Sequence, residues 1–200
     1  MKPILVLYAT REGHTRRIAE HIAATIRARG YFAEVIDAAD LPSEFSMEDY
    51  EAAVLAASVH REKHEEEMIR FVQRFREELE CMRAVFLSVS LSEAGAEDAA
   101  ATPEHRAQAA ADVQKMIDTF LKVTGWHPSK VRAAAGALSY TKYNFVIRFV
   151  MKRIAKAQGA STDTSRDHEL TDWEALDHIV DEVVPHSQTH KNSHSDPELR

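Results

Sequence analysis

The chain has 200 residues, 44% of them hydrophobic, and a formal net charge of −7; this suits one domain with a sizeable core and argues against general nucleic-acid binding. Its single cysteine, Cys81, excludes an internal disulfide and fits a reducing compartment. Lys2 is followed by a short apolar run and then at once by charge, unlike a signal peptide, and no stretch supplies the ~20 uninterrupted apolar residues of a spanning helix. The expectation is a chain made and kept in the cytoplasm.

The run Ile4–Ala9 is apolar, β-rich and bounded by polar residues, which predicts a buried parallel strand. Thr10-Arg11-Glu12-Gly13-His14-Thr15 follows, and then Ile18, Ala19, Ile22 and Ile26 recur at helical spacing. A strand feeding a hydroxyl- and glycine-containing turn that opens a helix is an anion cradle, because free N–H groups and the helix dipole both favour negative charge there. Thr10 and Thr15 add hydroxyl donors, and Gly13 permits close backbone approach. Neither the Gly-x-Gly-x-x-Gly of dinucleotide folds nor a P-loop Gly-Lys-Ser/Thr is present. The pattern Thr-x-x-Gly-x-Thr resembles the phosphate loop of flavodoxins, which binds the FMN monophosphate. An ordinary strand–helix connection in another α/β protein is the alternative. Glu12 would be unfavourable beside a phosphate unless it points to solvent or pairs with Arg11 or Arg16.

The first helix should close near Arg29 with Gly30 as its cap. Tyr31–Ile36 reads as a second strand and Glu51–Ala57 as a third, fully buried one, followed by a polar loop Ser58–His64. Glu65–Leu79 is a helix, with Met68, Phe71, Val72, Phe75 and Leu79 on one face. Arg83–Ser90 holds a fourth strand, and a second polar loop runs through Ser92–Gly95. Pro103 opens a long helix that Gly125-Trp126-His127-Pro128 ends, Val131–Leu138 is a fifth strand, and Asp172-Trp173-Glu174 starts the last helix. Five strands alternating with helices predict an α/β fold: a flavodoxin-like, doubly wound, five-stranded parallel sheet of order 2-1-3-4-5 with helices on both faces. Residues 1–184 form the domain. The His-rich tail 185–200 is read as disordered; His186, His190 and His194 have no carboxylate or cysteine partners, so no metal site is assigned.

In the order 2-1-3-4-5, as in flavodoxin itself, the crevice lies at the carboxyl ends of strands one and three. The segments Thr10–Thr15, Ser58–His64 and Ser88–Gly95 should meet there. By resemblance, the first would hold a phosphate and the other two an isoalloxazine ring. The FMN-binding residues so implied are Thr10, Arg11, Glu12, Gly13, His14 and Thr15, then Ser58, Val59, His60 and Arg61, then Ser88, Val89, Ser90 and Leu91. Simple flavodoxins clamp the ring between aromatic side chains; here the second and third segments carry no Trp, Tyr or Phe. For His60, Arg61, Lys63 and His64, a solvated loop with charge pairs to Glu62 and Glu65 is the competing reading.

Between the fifth strand and the last helix lies an insertion, residues 139–160, with Lys142, Arg148, Lys152, Arg153 and Lys156 and no acidic residue. Tyr140, Tyr143, Phe145, Ile147, Phe149, Val150, Met151 and Ile154 are interleaved. As a helix it would set apolar residues on one face and Arg148, Lys152 and Lys156 along another, the pattern of an interfacial segment at anionic headgroups. The alternative is an amphipathic helix packed on its own domain.

Thr10–Thr15, Gly136-Ala137-Leu138 followed by the Tyr140/Tyr143 basic insertion, Gly159 with Thr162-Asp163-Thr164, and Thr171-Asp172-Trp173-Glu174 together resemble the flavodoxin-like, quinone-dependent protoporphyrinogen IX oxidases of bacterial haem synthesis. The resemblance implies FMN as cofactor, protoporphyrinogen IX as donor, a membrane quinone as acceptor, and a peripheral place on the cytoplasmic face of the inner membrane. Tyr140, Lys142, Tyr143, Arg148, Lys152 and Arg153 are the implied substrate or membrane contacts. No residue stands out as a general base, so catalytic residues stay open, as does the oligomeric state. The rivals are a flavodoxin-like electron carrier, an NAD(P)H:quinone reductase of related fold, and a non-flavin α/β hydrolase or phosphatase.

Overall fold

The computed structural model describes residues 1–138 and 168–184; the insertion 139–160 and the tail 185–200 lie outside the described residues. The strand β1 (Ile4–Ala9) is wholly buried because it is central, paired in parallel with β2 (Ala33–Asp37) on one side and β3 (Ala52–His60) on the other. The sheet continues through β5 (Arg83–Ser90) to β6 (Lys130–Ala135), and a short β4 (Lys63–His64) pairs antiparallel with the end of β3. The parallel order β2-β1-β3-β5-β6 is the expected 2-1-3-4-5 with β4 counted.

Alternation along the strands supplies both layers. Ile4, Val6, Val54, Val85 and Leu87 pack toward α1 (His14–Ala28) and the last helix, α6 (Trp173–Val183), whose Ile179, Val180 and Val183 face inward. Leu5, Leu7, Leu55 and Phe86 face α2 (Glu66–Arg74), α3 (Arg76–Glu80) and α5 (Pro103–Thr124), through Met68, Phe71, Leu79 and Phe120. A polar seam joins α1 to α6: Thr25 and His21 reach Asp177 at 2.8 and 2.9 Å, and Arg29 pairs with Asp181.

Several boundaries differ from expectation. Strand two starts at Ala33 rather than Tyr31, because Gly30 turns in the left-handed region (φ +87) before pairing begins. The single helix expected over Glu65–Leu79 is two, α2 and α3, broken at Phe75 (φ −113, ψ 25), whose ring stays buried against Phe71 and Phe45. The expected polar loop Ser58–His64 is instead a β-hairpin, closed by Arg61 and Glu62, both at positive φ (50 and 63). The expected loop through Ser92–Gly95 is a helix, α4 (Leu91–Glu97), capped by the Ser90 hydroxyl, which accepts the Glu93 amide at 3.2 Å. The expected fifth strand breaks at Gly136: β6 ends at Ala135, and a two-residue β7 (Ala137–Leu138) pairs antiparallel with β8 (His168–Glu169). Among the described residues, no helix is long and apolar enough to cross a membrane.

Candidate functional site

The carboxyl ends of β1, β3 and β5 open on one cleft. Its base is the start of α1. Gly13 is the N-cap residue, in the left-handed region (φ 88, ψ 0), and has no side chain to cap the helix. In contrast, Ser90, Thr102 and Asp172 cap α4, α5 and α6 with side-chain oxygens. The first turn of α1 also holds no acidic residue, so the positive end of its dipole is uncompensated from within the helix. Thr10 Oγ1 accepts the Gly13 amide at 3.1 Å, which shapes the turn and leaves the hydroxyl proton to donate. Thr10, Arg11, Glu12, His14 and Thr15 all line the cleft.

Ser58, Val59 and His60 line it from the end of β3, and Val89, Ser90 and Leu91 from the end of β5 and the start of α4. Three further lining residues come from outside the expected set: Glu65, Gly136 and Ala137. The two small residues follow β6, the neighbour of β5, so the register of the sheet edge brings them in. Both fall in a motif that carries the family resemblance, but neither has a polar group that would mark it as a lining residue.

Glu65 is the larger surprise. Its side chain is 3% exposed, accepts from Arg11 Nε at 2.8 Å and from Ser58 Oγ at 3.0 Å, and its amide donates to Ser58 O at 3.2 Å. The carboxylate thus joins the first cleft segment to the second. The Arg11 guanidinium, hydrogen-bonded to it, is held more firmly charged than usual. Arg16 pairs with Glu20.

Two expected site residues are placed elsewhere. Ser88 is fully buried and bonded to the imidazole of His64 at 2.9 Å, facing the core rather than the cleft. Arg61 sits exposed at the tip of the β3–β4 turn and does not line the cleft. Ser88 shares the core-facing side of β5 with Phe86 and is paired in the sheet on both sides; the hairpin folds β4 back on β3, carrying Arg61 to its tip and His64 into the core between Phe86 and Phe120. Burial pushes the His64 imidazole down to about 4, so it is neutral at ordinary pH. It is not the solvated loop residue of the competing reading. Gly13 shapes the cradle from beneath without lining the cleft. Tyr140, Lys142, Tyr143, Arg148, Lys152 and Arg153 lie outside the described residues.

The described residues contain no aromatic side chain among the cleft lining apart from the imidazoles of His14 and His60. The arrangement offers an anion cradle at one segment and mixed apolar and hydroxyl walls at the others. It suits a phosphorylated ligand with a partly apolar body.

Residues 5–165 match the family model described as a flavodoxin domain. The chain is 31% identical over 180 residues to the protein of Escherichia coli strain K12 named protoporphyrinogen IX dehydrogenase (quinone), covering 90% of this chain and 93% of that one. It is also 31% identical over 173 residues to a Leishmania major protein of the same name, covering 86% of this chain and 70% of that one. Among solved structures, a short-chain flavodoxin associated with a PDU bacterial microcompartment aligns with a TM-score of 0.51 and 13% identity, over 92% of this chain and 97% of that one, a likeness of fold.

Proposed function

We propose a function for a chain that belongs to the flavodoxin-domain family, within the group of the quinone-linked protoporphyrinogen IX dehydrogenases: it oxidises protoporphyrinogen IX to protoporphyrin IX, with FMN in the cleft and a membrane quinone as electron acceptor. The observation that carries this reading is the convergence of three strand-end segments on one cleft whose base is a helix start without a side-chain cap. That donor set fits a phosphate monoester.

The amides opening α1 and the hydroxyls of Thr10 and Thr15 would hold the FMN phosphate. Ser58, Val59 and His60 on one wall and Val89, Ser90 and Leu91 on the other would hold the ring, with Gly136 and Ala137 leaving room beside it. When bound, FMN supplies two-electron hydride acceptance, which no protein side chain provides. The chain's own residues bind, orient and shield. The Arg11–Glu65 pair largely cancels its own charge, so the cradle's attraction for phosphate comes from oriented dipoles more than from net charge. His60 is exposed at the cleft rim and can carry a pyrrole proton to water. The basic insertion is assigned to the substrate propionates and to an anionic membrane surface, through Lys142, Arg148, Lys152 and Arg153, with Tyr140 and Tyr143 covering the ring edge. In this reading the protein works peripherally on the cytoplasmic face of the inner membrane.

One anaerobic preparation tests the proposal. The purified protein is expected to be yellow, to bleach with protoporphyrinogen IX, and to regain its colour on adding a soluble quinone, with NADPH leaving it unchanged. A colourless protein that takes up no FMN, or one that bleaches with NADPH and not with the porphyrinogen, refutes it. Replacing Lys152 and Arg153 with glutamate should weaken sedimentation with anionic vesicles; unchanged sedimentation removes the membrane assignment.

A further inference from the structure

Thr171 belongs to none of the three segments that the sheet brings to the cleft. Its Oγ1 lies 2.7 Å from the carbonyl oxygen of Ala135 and 2.6 Å from Nε2 of His14. A carbonyl oxygen only accepts, so Thr171 spends its one proton on Ala135. The imidazole Nε2 therefore carries a hydrogen and donates it to Thr171. The chain has fixed both which nitrogen is protonated and which way the ring faces.

His14 is 8% exposed, and the indole of Trp173 meets its ring edge-on at a centroid distance of 6.2 Å. Residues Thr171 and Trp173 thus hold one ring at two points. That ring belongs to the first residue of α1, next to Gly13 at φ +88. A side chain that cannot rotate pins the backbone from which it grows, and this backbone supplies the amides of the cradle. The anchor is itself anchored: Ala135 ends β6, and the next residue, Gly136, accepts the Leu170 amide at 3.3 Å. The cleft lining and the segment entering α6 are tied together on both sides of Thr171.

We propose that Thr171 is a positioning residue of the phosphate cradle, acting through His14 to hold the opening turn of α1 in its anion-binding geometry. This rests on the assignment of the cleft to FMN. It adds to the site a contributor that is 157 positions from His14 in sequence. The requirement is for a hydroxyl that accepts and donates at once. Valine keeps the shape and loses both; serine keeps both.

The test compares two ligands that share a ring and differ in the phosphate. Apoprotein is titrated with FMN and separately with riboflavin, following the quenching of flavin fluorescence. Thr171→Val should raise the FMN Kd about tenfold, the effect of one lost buried hydrogen bond, and leave the riboflavin Kd unchanged. Thr171→Ser should restore FMN binding. His14→Phe, which keeps a ring and loses the donor, should reproduce the valine result and replaces it if Thr171→Val does not fold. An unchanged FMN Kd, or an equal loss for FMN and riboflavin, overturns the proposal. A native chain that binds neither flavin overturns the cleft assignment, and this proposal with it.

Discussion

The pair formed by Arg11 and Glu65 is asymmetric, and the asymmetry is measurable. Glu65 is 3% exposed and Arg11 61%. At 2.8 Å the attraction lies between about 1.5 kcal/mol with full water screening and about 6 kcal/mol at the effective screening of a buried pair. The exposure of Arg11 sets the net value near the lower bound. Arg11→Met leaves a buried carboxylate with only the Ser58 side chain as partner, which should cost about 2 kcal/mol. Glu65→Gln leaves a guanidinium that water can solvate, and an amide oxygen that still accepts from Ser58, so it should cost under about 1 kcal/mol. The double variant should be more stable than Arg11→Met alone, because the second change removes the stranded charge. Urea unfolding of the apoprotein, read as midpoint shifts at constant slope, gives all three values. Equal costs for the two single changes, or strict additivity in the double variant, refute this account.

Further outcomes follow from the same geometry. Gly13→Ala forces a Cβ into the left-handed region at φ 88 and should cost about 1–2 kcal/mol; a thermal melt reads the cost, and FMN titration should show weaker binding. Ser90→Ala removes the cap of α4 and should lower stability by about 1 kcal/mol, seen as a lower urea midpoint. His64 is depressed in the fold to about 4 from an ordinary 6.5, so the unfolded chain binds the extra proton between those values. Stability should hold above pH 6.5 and fall by about 3 kcal/mol as the pH drops toward 4. His64→Phe should flatten that part of the pH–stability curve; an unaltered slope assigns the acid sensitivity to other groups.

Periodicity made the sheet legible, because strands buried on both faces read as continuous apolar runs: Ile4–Ala9 and Ala52–Ala57 could only be central. The cradle was legible because a Thr-x-x-Gly-x-Thr turn joins such a strand to an amphipathic helix. The β3–β4 hairpin was not. A two-residue turn with both residues at positive φ normally advertises itself with Asn-Gly, and here Arg61-Glu62 occupy it. The bond between His64 and Ser88 depends on that fold-back, so neither residue's place is legible from its neighbours in sequence. Ser90-x-x-Glu93 has a capping-box spacing that announces the helix α4, but after Leu91 the segment has no further large apolar residue to give it a helical periodicity. Glu65 has no local signature and Thr171 is visible only as part of a family motif, because each takes its role from a partner distant in sequence: 54 positions for Glu65 to Arg11, and 157 for Thr171 to His14.

The ribbon of β7 and β8 sets Ala137 against Glu169 and Leu138 against His168. The chain therefore leaves the end of β6 and returns to the start of α6 through one two-stranded stem. Whatever length is spliced between those paired ends, the distance the scaffold must bridge stays the same, and doubling that length adds only about 0.6 kcal/mol of closure entropy. Evolution, or a protein engineer, can exchange the intervening piece wholesale for another of different size and polarity. The yellow-pigment compartment would be retained while the clientele that visits it changes.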